Sequence, residues 1–344
     1  MKYNHAATKI LSADDAVMLQ KRGWQAADLH VHTLFSPDVI AARSMHPERL
    51  YQTAKENGMD FVTFTDHDSI VAYDHLRPGK KGLVRGVEIK IKDMKSVGHT
   101  IHINIYDLDN DQFEIIVNLS EKGNLQSLLG YLKKQELPFV YNHPLWFEPG
   151  EKPNLAVIPD LIRRFPVVEY NMNRVRRKNE IVVELARKYG TGLIAATDTH
   201  SGMIGHAYTL SRGKNFKEFY DSICRGESFI VVKDLTKNAL VQEMKMWLDL
   251  MSNQDMILKN KKVSTGIRHL DRLISILASK SFREFPRAYS AALCAMHKIS
   301  SSGLPATLYI KREALQLYNI EHKMGIQFQD RSNNRMVQDL PKLH

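Results

Sequence analysis

From residue 24 to about residue 235, short apolar runs alternate with stretches in which apolar residues recur every three or four positions. The runs "AADLHVHT", "FVTFTD", "GLVRGVEIKI", "HTIHINIYDL", "PFVYNH", "VVEYN" and "TGLIAATDTH" predict strands, each gathering polar residues toward its C-terminal end. "HPERLYQTAKENG", "NLQSLLGYLKKQE" and "KNEIVVELARKYG" predict helices, the first and last closed by a glycine that suits a C-terminal cap. Strand and helix in alternation predict an α/β fold on a largely parallel sheet. In such folds the chemistry sits at the C-terminal ends of the strands.

After Thr236 the strand-like runs nearly vanish. "KNALVQEMKMWLDLMS", "GIRHLDRLISILAS", "RAYSAALCAMHKI" and "KREALQLYNIEHKM" carry apolar residues at helical spacing, which reads as core-facing stripes, and the tail "DRSNNRMVQDLPKLH" reads as mobile. A chain of 344 residues accommodates a domain of about 200–250 residues and a smaller one of about 100. The pattern divides it into an α/β unit, 1–236, and a mostly helical appendage, 237–344.

Charge sharpens that division. The net charge is +10, yet residues 1–236 hold 31 Lys+Arg against 29 Asp+Glu, whereas residues 237–344 hold 17 against 9. A basic segment beside a nearly neutral one invites a nucleic acid or another polyanion as partner; a solvated basic helical surface is the alternative. Cys224 and Cys294 provide no disulfide framework and no zinc-finger spacing. The N-terminal residues lack the apolar run of a signal peptide, and no window approaches 18 consecutive apolar residues. A cytoplasmic protein without membrane contact is expected; the oligomeric state is left open.

The candidate chemistry lies at the predicted strand ends. In "DLHVHTLFSPD", His30 and His32 are two residues apart, so an extended strand points both imidazoles to one side. Side by side they repel when protonated, and a shared metal is the simplest reason to keep them together. Asp38, His67 in "TDHD", Glu88 in "GVEI", His102, His143 in "NHP", and Asp198 with His200 in "TDTH" continue the series. Singly each has an ordinary alternative, such as a turn, a helix cap or a surface carboxylate. Together they point to one mouth of the fold.

These strings resemble the PHP (polymerase and histidinol phosphatase) domain family over about residues 24–235. The resemblance implies a distorted (β/α)7 TIM-like barrel, here with an additional C-terminal helical segment, holding two or three divalent metal ions (Zn, Mn or Fe). It also implies a ligand set. His30, His32 and Asp198 would hold one metal, Glu88 would bridge to a second held by His102 and His143, and Asp38, His67 and His200 would hold a third. His99, just before His102, is the reserve ligand.

Imidazole and carboxylate donors without thiolates suit zinc, manganese or iron at a reactive site rather than structural zinc. A bridging glutamate sets two metals roughly 3.5–4 Å apart, a spacing suited to clamping a phosphoryl group and activating water. Asp66 could orient an imidazole from behind. "YNMNRVRRKN" follows a predicted strand and should overhang the mouth, which makes Arg174 and Arg176, with His206 in "GMIGHAYTL", candidates for the substrate phosphate. Asp38, His200 and Arg174 are the expected catalytic residues. The expected activity is hydrolysis of a phosphoester, on a phosphorylated small molecule or on a nucleotide or nucleic-acid end that the basic segment helps to hold. The alternative is a non-catalytic, metal-stabilised scaffold whose helices bind a protein or nucleic-acid partner; hydrolysis of an amide or ester by the same centre is a third reading.

Overall fold

The structure, a computed structural model, describes residues 9–233, 235–252, 272, 275–277 and 279–324. Its strands are β1 (Lys9–Leu11), β2 (Gln25–Asp28), β3 (Phe61–Phe64), β4 (Leu83–Asp93), β5 (His99–Tyr106), β6 (Phe139–Tyr141), β7 (Val167–Asn171), β8 (Gly192–Ala196), β9 (Tyr208–Ser211) and β10 (Phe229–Val231). The helices up to residue 252 are α1 (Ala13–Gln20), α2 (Pro47–Glu56), α3 (Asn110–Glu121), α4 (Leu125–Lys134), α5 (Ile158–Arg164), α6 (Arg176–Tyr189), α7 (Phe216–Cys224) and α8 (Lys237–Ser252). Helices Pro286–Ser301 and Leu304–Met324 follow. The helix expected over 266–279 lies largely outside the described residues, and the tail 330–344 lies wholly outside them.

The strands form one sheet in the order β1-β10-β9-β2-β3-β4-β5-β6-β7-β8. The β2–β8 portion curls into a half-barrel. Ala27, Phe61, Val84, Tyr106, Val140, Val167 and Ile194, one residue from each of β2 to β8, share one buried cluster with Phe216, Phe219, Tyr220 and Ile223 of α7. Those four α7 positions fall on one helical face, so this helix plugs the floor. Tyr220 fastens it to the sheet by donating to the Phe139 carbonyl at 2.6 Å.

Closure between β8 and the β2–β9 edge is made by side chains rather than by a full ladder. The Asp28 carboxylate accepts from Thr197 N at 3.0 Å and Thr197 Oγ1 at 2.6 Å. Thr209 Oγ1 accepts from Ala195 N at 2.9 Å, and Val31 and Thr199 form an isolated parallel bridge. The result is an incompletely closed α/β half-barrel with extra C-terminal helices.

The expectation of a largely parallel sheet is corrected. β4–β5, β5–β6, β2–β9 and β9–β10 pair antiparallel. A long β4–β5 hairpin is the main cause. Asp93 closes its turn by accepting from Lys95 N at 3.1 Å and Ser96 N at 2.9 Å.

The C-terminal helices share the core. Leu248, Met251 and Leu293 pack in one cluster with Val31 and Met45, and Ile320 joins the cluster of β4–β8. Burial pushes the Cys224 thiol up to about 12, whereas Cys294 is exposed. A thiol is nucleophilic as thiolate, so a maleimide is expected to label Cys294 in the native protein and Cys224 after unfolding. Peptide mapping checks this, and labelling of both at equal rates would contradict it. Among the described residues no helix is long and apolar enough to cross a membrane.

Candidate metal centre

The nine donors singled out in the sequence come together in overlapping groups, and the fully buried Glu88 is the focus of five imidazoles among them. His30 and His32 follow β2 on either side of the bridge-forming Val31, and their Nε2 atoms lie 3.1 Å apart. Both face Glu88 Oε2, at 3.2 and 3.3 Å, and both lie 3.3 Å from Asp198 Oδ1. His67 Nδ1 reaches the same Oε2 at 3.1 Å. The other oxygen, Oε1, meets His102 Nδ1 at 3.1 Å and His143 Nε2 at 3.2 Å. Glu88 thus faces two groups of imidazoles, one with each oxygen.

A second focus lies nearer solvent. Asp38 Oδ2 is 2.8 Å from His200 Nε2 and 3.1 Å from His67 Nε2. Asp38, His67 and His200 side chains are 24%, 19% and 19% exposed, while those of His30, His32 and Glu88 are 0% exposed. The cluster therefore has a closed end and an open one. Its ligand atoms fall into four overlapping groups: His30, His32 and Glu88; His30, His143 and Asp198; His67, Glu88 and His102; and His32, Asp38, His67 and His200. His102 is in this set and His99 is not. Backbone strain marks the rim, because His143 and Asp198 adopt φ of 27° and 51°.

Residues 28–149 match the PHP domain. That segment belongs to the PHP domain family. No curated protein matches the chain in sequence. Among solved structures, PsfC from Pseudomonas syringae is 15% identical, with 66% of this chain and 99% of that one covered and a TM-score of 0.49. The lesion-specific endonuclease PfuEndoQ from Pyrococcus furiosus is 14% identical, with 60% and 57% covered and a TM-score of 0.45. An amidohydrolase from Chromobacterium violaceum is 13% identical, with 54% and 90% covered and a TM-score of 0.37.

The donor set, which reaches beyond the matched segment to Asp198 and His200, fits metal ions. Ligands about 2.0–2.1 Å from a tetrahedral centre stand about 3.3–3.4 Å apart, and the separations around Glu88 Oε2 lie close to that. Two imidazole nitrogens facing each other at 3.1 Å need a cation or a shared proton between them. The clusters can chelate several divalent ions, and together with the family they are consistent with a metal-dependent hydrolase of phosphoester bonds.

The second layer of the site carries residues that the sequence reading missed. Glu169 Oε1 takes His30 Nδ1 at 2.7 Å, which turns Nε2 toward the centre, while its Oε2 accepts from His143 N at 2.7 Å. Glu148 Oε1 lies 3.3 Å from His102 Nε2. The hydrogen bond from His102 leads in holding the Glu148 carboxyl down at about 2, with Lys90 adding to it. Asn142 Nδ2 donates to Glu88 Oε1 at 2.8 Å, and Asn171 Nδ2 donates to Asp198 Oδ2 at 3.0 Å. A carboxylate inside "VVEYN", an otherwise apolar strand, was the available signal for Glu169.

Other expectations are corrected or relocated. Asp66 accepts from Thr33 N and Thr33 Oγ1, both at 2.6 Å, and so fixes the loop that carries the histidines rather than an imidazole. Glu88 and His102 lie inside β4 and β5, not at strand ends, because the hairpin carries both strands past the rim. Arg174 reaches the mouth, with Nη2 3.5 Å from Asp198 Oδ2. Arg176 instead pairs with Glu180 at 2.9 Å on the exposed face of α6, and the half-buried His206 is held below its usual range by burial and by Lys233.

Protons and metals compete here. Burial opposes charge on His200, but the Asp38 carboxylate outweighs it and pushes the imidazole up to about 9. A group raised from 6.5 to about 9 is protonated at pH 7, so a metal taking His200 as ligand must displace that proton. Metal affinity is therefore expected to weaken from pH 8 to pH 6, with proton release on binding at pH 7. Calorimetric titration in two buffers of different ionisation enthalpy reads this, and buffer-independent heats would contradict it.

Proposed function

We propose that this chain is a cytoplasmic metal-dependent phosphoesterase using two or three divalent ions, zinc, manganese or iron. The observation that carries the reading is the convergence of His30, His32, His67, His102 and His143 on the two oxygens of buried Glu88. His30, His32 and Asp198 would hold one metal, Glu88 would bridge to His102 and His143, and Asp38, His67 and His200 would hold a third. When bound, such ions supply Lewis acidity and bring the pKa of coordinated water to near about 7.

The side chains do the rest. The partly exposed Asp38, His67 and His200 form the end a substrate reaches first. His200 and Asp38, 2.8 Å apart at that opening, would serve there as ligands, giving up the proton they share when an ion binds. Glu169 and Glu148 keep the imidazoles of His30 and His102 aimed. Arg174, beside Asp198, supplies a positive fork for phosphoryl oxygens. The substrate is a phosphorylated small molecule or a nucleic-acid end, the latter favoured by the surplus of positive charge after residue 236.

Hydrolysis of a chromogenic phosphomonoester and a chromogenic phosphodiester by metal-reconstituted protein tests the reading. Turnover of at least one is expected, and the preferred ester separates a phosphatase from a nuclease-like enzyme. No turnover of either by fully loaded protein would contradict it and favour a scaffold.

A further inference from the structure

Two helices that follow the half-barrel touch the mouth at separate points. From α8, Glu243 Oε1 accepts from Ser201 Oγ at 2.7 Å and from Trp247 Nε1 at 3.2 Å, and the Trp247 ring stacks on His200 with centroids 6.4 Å apart. From helix Leu304–Met324, the Tyr309 hydroxyl accepts from Arg174 Nη1 at 3.3 Å and donates to the Asn173 carbonyl at 3.3 Å. Asn173 in turn donates through Nδ2 to the carbonyls of Thr197 and Asp198, both at 3.0 Å. The chain thus runs from a C-terminal helix, through one phenol, to the arginine and the backbone of a metal-ligand candidate.

Arg174 is held without being satisfied. Its guanidinium lies over the Trp146 ring, 5.5 Å from the centroid. Nη1 is taken by Tyr309, Nη2 has the long 3.5 Å contact to Asp198, and Nε is buried with no hydrogen-bond partner among the described residues. Nε and Nη2 form the edge of the fork that grips two oxygens of one anion. Buried donors left open in this way are uncommon and call for a reason. An anion arriving beside Asp198 would provide one.

We propose that the helices after residue 236 build one wall of the substrate cleft, and that Tyr309 is a positioning residue that turns the Arg174 fork toward the phosphoryl group. This deepens the phosphoesterase reading and rests on it for the identity of the anion. Tyr309 acts through Arg174 and does not itself touch substrate. Removing its hydroxyl leaves the guanidinium free to swing about Trp146, so anion affinity falls while the ring keeps the helix packed.

The test is binding of inorganic phosphate to metal-loaded protein, measured by calorimetry at low salt, with metal content and melting temperature checked for each variant. Arg174→Ala is expected to weaken binding about tenfold or more, and Tyr309→Phe about fivefold, the scale of one hydrogen bond. The double variant should bind no more weakly than Arg174→Ala alone, because both changes remove the same interaction. Wild-type affinity in Tyr309→Phe, additive losses in the double variant, or no phosphate binding by the loaded wild type would each overturn the proposal. Because the readout needs no turnover, phosphate binding with this coupling but without ester hydrolysis would sink the phosphoesterase reading and leave the role of Tyr309 standing.

Discussion

Glu88→Gln is expected to cost the protein its metals and its turnover together. Glutamine keeps the shape of the side chain but presents a neutral amide, one end of which is a donor, to five imidazoles that now face a carboxylate. With the bridge gone, occupancy should fall to one metal or fewer per chain, and kcat/KM by at least about 1,000-fold, equivalent to about 4 kcal/mol. The fold should survive, since the barrel floor and the β4–β5 ladder do not pass through this side chain. Burial alone would raise the Glu88 carboxyl, yet His30, His67 and His102 hold it well below its usual range. A carboxylate lowered on folding adds stability above the ordinary carboxylate range, and that stability is lost as pH falls through the folded value. Metal-free Glu88→Gln should therefore show a flatter acid limb than metal-free wild type in denaturant melts. Full metal content in this variant would contradict the assignment of Glu88.

The second large effect is expected far from the donors. Lys178 Nζ and Glu313 Oε2 form an ion pair at 2.9 Å between α6 and helix Leu304–Met324, with side chains 1% and 6% exposed. Gln316 Oε1 accepts from the same ammonium at 2.9 Å. Glu313→Ala would leave the Lys178 charge buried without its anion, at a cost of about 3–5 kcal/mol. The loss should appear as a lower denaturant midpoint at an unchanged m value. Lys178→Met with Glu313→Leu should recover much of it, because replacing both charges removes the need to solvate either. A Glu313→Ala loss below about 1 kcal/mol would show the pair to be as weak as an exposed one. Glu313 lies one helical turn from Tyr309, so this pair also sets where the Arg174 partner stands.

The parts of this fold that were legible in the sequence are those where one local rule decides. Gly58 and Gly190 follow α2 and α6 with φ of 78° and 66°, as helix-ending glycines should. The apolar spacing of 237–252 became α8 over those residues. The donors stood out because imidazoles and carboxylates inside apolar runs have few other uses. What stayed hidden depends on contacts between distant segments. An apolar run does not state the direction in which its strand is laid down, so the antiparallel β5 passed for another parallel strand. Nothing near Tyr309 marks it as a neighbour of Arg174, 135 residues away in sequence. The stripes of the C-terminal helices announced burial but not the partner.

Metal stoichiometry tests the central claim most directly. Elemental analysis of protein stripped with chelator, reloaded at pH 8 and desalted is predicted to find two or three divalent ions per chain, falling to one or fewer in Glu88→Gln. Wild-type protein that retains no metal after reloading, or a Glu88→Gln variant that retains as much as wild type, would contradict the account of a centre organised around this one buried carboxylate.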